Sequence, residues 1–212
     1  MQILKFLIAM KVLKRQVKLA LLYFGLALCI IPAVAQVKTA PRQLKDFNKD
    51  LVDAGLTFTL PAGFREIKGA NNEDLSCDYA IEIPDAEFEI WFQVRSLKDN
   101  RPFIKLKDKQ VIPDSLYMEM GRTQTTTLIG DKSYLIRSIP HYSLARYNAD
   151  AGKTFLLNLP DSPTTKHYKY AMVVVLQKNH EGTLIATCFA NELGPGFFKN
   201  LNSASSCIKF NP

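Results

Sequence analysis

Hydrophobic residues along the chain fall mostly into short β-type runs, and the densest of these lies near the C-terminal end. Tyr170 to Gln177 (YAMVVVLQ) and Thr183 to Ala190 (TLIATCFA) flank a polar loop, Lys178 to Gly182, a pattern that predicts a long hairpin. Met172 to Leu176 is apolar with almost no alternation, as in a strand covered on both faces, so the hairpin is expected at the centre of a sheet. Upstream, Tyr79 to Ile83 and Ala86 to Arg95 alternate on either side of a Pro84-Asp85 turn. In the second run Phe88, Ile90, Phe92 and Val94 take one face, while Glu87, Glu89, Trp91, Gln93 and Arg95 take the other. This period of two argues against a helix and predicts one core face and one polar face.

Helical spacing appears between these runs. Leu44, Phe47 and Leu51 predict an amphipathic helix from Pro41 to Ala54, with Gly55 as its stop. Pro113 to Leu128 reads as a second helix capped by Asp114, and His141 to Asp150 as a short third one before Gly152. Pro195 opens a fourth, with Phe197, Phe198, Leu201 and Ala204 on one stripe. Further strands are expected at Leu56 to Leu60, Tyr134 to Ile139, Lys153 to Leu159 and Ser205 to Phe210, with loops at Gly69 to Ser76 and Pro160 to Pro163. Arg101 to Lys109 (RPFIKLKDK) alternates lysine with other residues; it reads as a solvated edge guarded by lysine, or as a contact for an anionic surface. With no internal repeat or linker, residues 36–212 are expected to form a single α+β domain. Its sheet is mostly antiparallel, with about six strands and helices on its faces.

The first 35 residues read differently. Lys11, Lys14, Arg15 and Lys18 precede an uncharged apolar run, Leu19 to Ile31, and Pro32 then leads into Ala33-Val34-Ala35. This is the layout of a signal peptide cleaved before Gln36, and it places the mature chain in the periplasm or outside the cell. The run is shorter than a membrane span and is broken by proline, so an uncleaved anchor fits less well, and no stable span is expected after cleavage. Leu28 before Cys29 disfavours a lipoprotein signal, and Met1 and Met10 both serve as candidate starts, Met10 placing the basic segment at the terminus. Net charge is +7 over 212 residues. Lys5, Lys11, Lys14, Arg15 and Lys18 all lie in the leader, so 27 basic residues become 22 against 20 acidic ones. A mature chain near +2 gives no electrostatic footprint for nucleic acid.

Cys77, Cys188 and Cys207 remain after cleavage. In an oxidising compartment Cys188 and Cys207 are the preferred disulfide pair, contributing about 3 kcal/mol; three buried thiols are the alternative. Chemistry is otherwise sparse. His141, His167 and His180 lack the spacing of a zinc site, and neither a G-x-S-x-G elbow nor a glycine-rich phosphate loop is present. No catalytic residue, metal or cofactor is therefore assigned. The candidate ligand-binding residues are Trp91, as an aromatic platform on the polar face of its strand, with Glu87, Glu89 and Arg95 orienting polar groups around it. The competing reading packs Trp91 under a helix or loop and leaves the flanking charges solvated.

Several stretches together, TFTLPAGF, the FEIWFQV hairpin, the YAMVVVL and GTLIATCFA hairpin, and the closing GPGFFKNL helix with CIKF, resemble secreted bacterial members of the PsbP-like superfamily. The resemblance covers Leu56 to Phe210 by element order. It implies an α/β/α sandwich and a non-catalytic accessory or protein-binding role, and it carries over no metal or cofactor residue. The leading expectation is thus an exported, non-enzymatic binding or accessory protein for an undetermined protein or small ligand. Two alternatives stand beside it. One is an envelope-associated hydrolase or transferase with a site assembled around His141, Tyr142 and Glu89; the other is a structural subunit of an envelope assembly, which would expose a large apolar patch.

Overall fold

The computed structural model describes residues 42–69, 75–97 and 115–212, all within the unit Ala40–Pro212. The expected leader at 1–35, the start at 36–40, Pro41, the middle of the 69–76 loop, the lysine-rich run 101–109, Pro113 and the Asp114 cap lie outside the described residues. In chain order the elements are α1 (Arg42–Asp53), β1 (Leu56–Phe58), β2 (Arg65–Ile67), β3 (Tyr79–Ile83), β4 (Phe88–Ser96), α2 (Leu116–Ile129), β5 (Leu135–Ser138) and α3 (His141–Arg146). β6 (Ala151–Asn158), a 3-10 turn (Pro163–Thr165), β7 (Tyr170–Lys178), β8 (Gly182–Ala190), α4 (Pro195–Ala204) and β9 (Ile208–Phe210) follow.

Seven strands make one sheet in the order β2-β3-β4-β8-β7-β6-β5, and β1 and β9 pair as a separate ribbon. Every strand pair is antiparallel. The sheet is two meanders, β2 to β4 and β5 to β8, sewn together where β4 pairs with β8 over Phe88↔Ala190 to Ser96↔Gly182. β8 therefore holds the middle of the sheet, with its hairpin partner β7 beside it. The predicted hairpin is present with nearly the expected bounds.

Both faces are covered, which explains the unbroken apolar run in β7. Leu176 joins the core on one face, with Met172 and Val174 packed against it, and Ala171, Val173 and Val175 enter the other core. The first core holds Phe47 and Leu51 of α1, Phe197 and Ala204 of α4, and Ile208 and Phe210 of β9 against the apolar face of β4. The second holds Leu128 and Ile129 of α2 with Trp91, Phe155 and Phe189. A sheet with helices packed on both sides is an α+β sandwich. Full burial of each such side chain is worth roughly 1.5–3 kcal/mol, so these two layers carry most of the stability.

Two glycines are required by geometry. Gly55 ends α1 at φ +67, where a Cβ would meet Glu181 Oε2 at 1.8 Å, so the tip of the β7–β8 hairpin seats against the α1–β1 corner. Gly121 lets α2 approach the sheet: a Cβ there would meet the Phe155 ring at 2.6 Å and Val175 at 2.9 Å.

The expected Cys188–Cys207 disulfide is not formed. Cys77, Cys188 and Cys207 are all buried free thiols. Cys188 and Cys207 both enter the first core, Cys188 from the central strand and Cys207 from the turn after α4. Burial pushes the Cys207 thiol up to about 12 and raises that of Cys188 as well, so in the folded chain both sit as protonated thiols. They act as small apolar core residues.

Candidate functional site

The polar face of β4 is not a surface. Trp91 is 3% exposed and packs against Phe189 with ring centroids 4.5 Å apart, so it is a core side chain rather than an open platform. The expectation failed because β4 is the third of seven strands and the connection between β6 and β7, with α2 beside it at Gln93, covers the side of the sheet that alternation assigned to solvent. The reading that packs Trp91 describes it correctly, but the accompanying solvated Glu89 does not hold, since Glu89 is 3% exposed as well.

Around Glu89 the fold assembles a polar cluster within this layer. Lys166 Nζ donates to both carboxylate oxygens, at 2.7 and 2.9 Å. Trp91 Nε1 donates to Oε2 at 2.9 Å, and the Tyr168 hydroxyl donates to Oε1 at 3.2 Å. A buried carboxyl group is tolerated only when its oxygens meet donors, and here each oxygen has them. Among the described residues no buried side-chain nitrogen or oxygen lacks a partner. Burial first, and then the charge and hydrogen bond of Glu89, raise the Tyr168 phenol above its ordinary range, so it stays a donor.

Lys166 and Tyr168 come from the connection between β6 and β7. Ser162 Oγ accepts from Thr164 N to start the 3-10 turn, and Lys166 and His167 then both take positive φ, 51 and 62. This left-handed pair turns the chain so that Lys166 points down onto Glu89 while His167 Nδ1 faces Asp161 Oδ1 at 2.5 Å on the exposed side. Side chains that are 77 and 79 residues from Glu89 thus meet it. Sequence reasoning missed both, because the only local sign was polar residues in a loop.

The remaining candidates are dispersed. Glu87 lies before β4 in a turn, at φ 45, exposed and accepting from Asn191 Nδ2 at 3.0 Å. Arg95 belongs to another group: its Nη1 donates to Asp78 Oδ2 at 3.1 Å, and Asp78 also accepts from Val94 N at 2.7 Å. Of the predicted set, only Glu89 and Trp91 touch. The alternative enzyme constellation does not assemble either. Three strands separate β4 from β5, and α3, which carries His141 and Tyr142, packs Leu144 into the first core, on the face of the sheet opposite Glu89.

A concavity of about 920 Å³ runs between α1 and β2, lined by Asp46, Asp50, Glu66, Lys68 and Asp78. Its acidic walls contain no histidine, Glu66 accepts from the buried Tyr79 hydroxyl at 3.0 Å, and Asp46 and Asp50 already have partners. Among the described residues no group of three or more side chains could hold a metal ion, and no helix is long and apolar enough to cross a membrane.

The exposed apolar residues are concentrated elsewhere. At the outer end of the sheet Tyr134, Leu135 and Ile136 are 37%, 50% and 41% exposed, and Tyr142, on the helix that follows, is 73% exposed. All four residues of β5 are exposed, although the strand is fully paired with β6. These properties define an α+β sandwich with a buried, satisfied polar cluster and an apolar sheet edge. No protein-family model and no curated protein matches the chain.

Proposed function

We propose that this chain is an exported, non-enzymatic binding or accessory protein, working in the periplasm or outside the cell, that recognises a protein partner through the β5 edge. One observation carries the reading: an edge strand with every residue exposed and apolar side chains on both of its faces. Among the described residues nothing pairs with its outer side, and an open edge of this kind is a hazard in a free monomer and the ordinary docking element for an added strand. The buried condition of Glu89 supports a non-catalytic role, since its lone pairs are committed to three neighbours. The accessory role implied by the PsbP-like resemblance agrees with it, and the leader-like start supports export.

The test is a photo-crosslinking side chain in place of Leu135 in producing cells. The expected result is a discrete adduct with one protein, lost when Ile136→Asp is added. Absence of any adduct, or turnover of a small substrate that depends on Glu89, overturns the reading.

A further inference from the structure

We infer that the β5 edge takes an extended acidic segment, reading carboxylate then three apolar residues in chain order, as an added antiparallel strand. This rests on the protein-binding reading above and names the chemistry of the partner. Among the described residues β5 pairs only with β6, so its other side is the end of the sheet. Side chains of β5 alternate: Tyr134 and Ile136 share the face of Phe155, with Tyr134 and Phe155 rings 5.8 Å apart, and Leu135 and Arg137 share the other. Arg137 is exposed and makes no ion pair among the described residues.

Charge around this edge is mostly positive. From Asp131 to Ala149 the chain carries Lys132, Arg137 and Arg146 against one carboxylate, Asp131, and β6 adds Lys153 without an acid. The carboxylate that follows, Asp150, is engaged by Lys178 at 3.6 Å. A partner strand running antiparallel sets its first residue opposite Arg137 and the next three opposite Ile136, Leu135 and Tyr134. Complementarity then asks for a carboxylate followed by three apolar side chains. A second copy of this chain is a poor occupant, because the one carboxylate it could set opposite Arg137, Asp131, is followed by Lys132 and Ser133 rather than by apolar residues, and its own Lys132, Arg137 and Arg146 add like charge. An anionic lipid surface would satisfy the cations but leave the strand's backbone edge unused.

The experiment uses the processed chain and two synthetic ten-residue peptides, one containing Glu-Val-Val-Tyr between polar flanks, the other with Lys in place of Glu. Binding is followed by amide shifts and hydrogen exchange at 135–138. The acidic peptide is expected to bind about tenfold more tightly than its lysine counterpart and to protect β5 amides; Arg137→Glu reverses the preference, and Ile136→Pro, which removes an edge N–H, abolishes binding. A preference unchanged in Arg137→Glu overturns the inference. So does binding to phosphatidylglycerol vesicles but to neither peptide, which would assign the patch to a membrane. If neither peptide binds while the Leu135 crosslink still captures a protein, the strand motif falls and the protein-binding reading survives; failure of both removes both.

Discussion

On β4 the polar residues Glu89 and Gln93 are buried, at 3% and 7% exposure, whereas on β5 the apolar residues Leu135 and Ile136 stand 50% and 41% exposed. The two strands belong to one sheet and differ in position: β4 lies inside it, under α2, and β5 ends it. On β4 a charge is tolerated because Lys166, Trp91 and Tyr168 satisfy it, and Gln93 reaches across to Gln124 of α2 at 3.3 Å. On β5 hydrophobic surface is left in water, which costs free energy and gives the fold nothing in return. Polar chemistry on β4 therefore serves the architecture, and on β5 the fold leaves apolar surface uncovered.

This contrast can be broken most forcefully at Trp91. Trp91→Ala removes a buried ring from the second core and is expected to lower stability by about 4 kcal/mol in chemical denaturation, without changing peptide binding at β5. A stable variant with lost binding would reverse the roles of the two strands. Lys166→Ala strips the counter-charge from Glu89 and is expected to cost about 3 kcal/mol; because Lys166 is 43% exposed, this is the low end of the range for a broken buried pair. A Glu89→Gln, Lys166→Met double variant should recover part of that loss, which a purely steric role for Lys166 would not show.

Alkaline pH sharpens the picture on the buried side. Burial first, then the hydrogen bond to Glu66, raises the Tyr79 phenol, as burial and Glu89 raise that of Tyr168. Burial also pushes Cys77 and Cys207 up to about 12, from an ordinary thiol value of 9.0. The folded chain thus keeps protons that the unfolded chain releases. Stability from these groups is complete below about pH 9 and falls as pH rises toward and beyond 12. Denaturant midpoints measured from pH 7 to 11 should be flat at first and then decline, and a midpoint that rises above pH 9 would contradict the burial of these groups. The smallest effect belongs to the edge: Leu135→Ser should change stability by less than about 1 kcal/mol, since half of the side chain is already in water. A large loss there would show that β5 is part of the core.

Periodicity alone made much of the fold legible. The β7–β8 hairpin, the alternating β3–β4 pair, the helix stops at Gly55 and the start at Pro195 all follow from residues within one or two turns of each other, where backbone preference and side-chain spacing act locally. β2 escaped notice because three residues, Arg65–Ile67, are too few to show a period. The ligand-binding reading of Trp91 was lost for a different reason. Alternation tells which residues share a face, but not what is laid over that face.

Local sequence therefore determined the elements, the two-sided burial of the central hairpin and the scarcity of catalytic motifs. Tertiary structure alone decided that the β6–β7 connection and α2 close over the polar side of β4, that Lys166 and Tyr168 travel 77 and 79 residues to satisfy Glu89, and that the three thiols stay unbonded. It also decided that β5 is the strand left at the end of the sheet. Each of these depends on the order of strands and on which layer each connection crosses, a property of the assembled chain that no window of neighbouring residues contains.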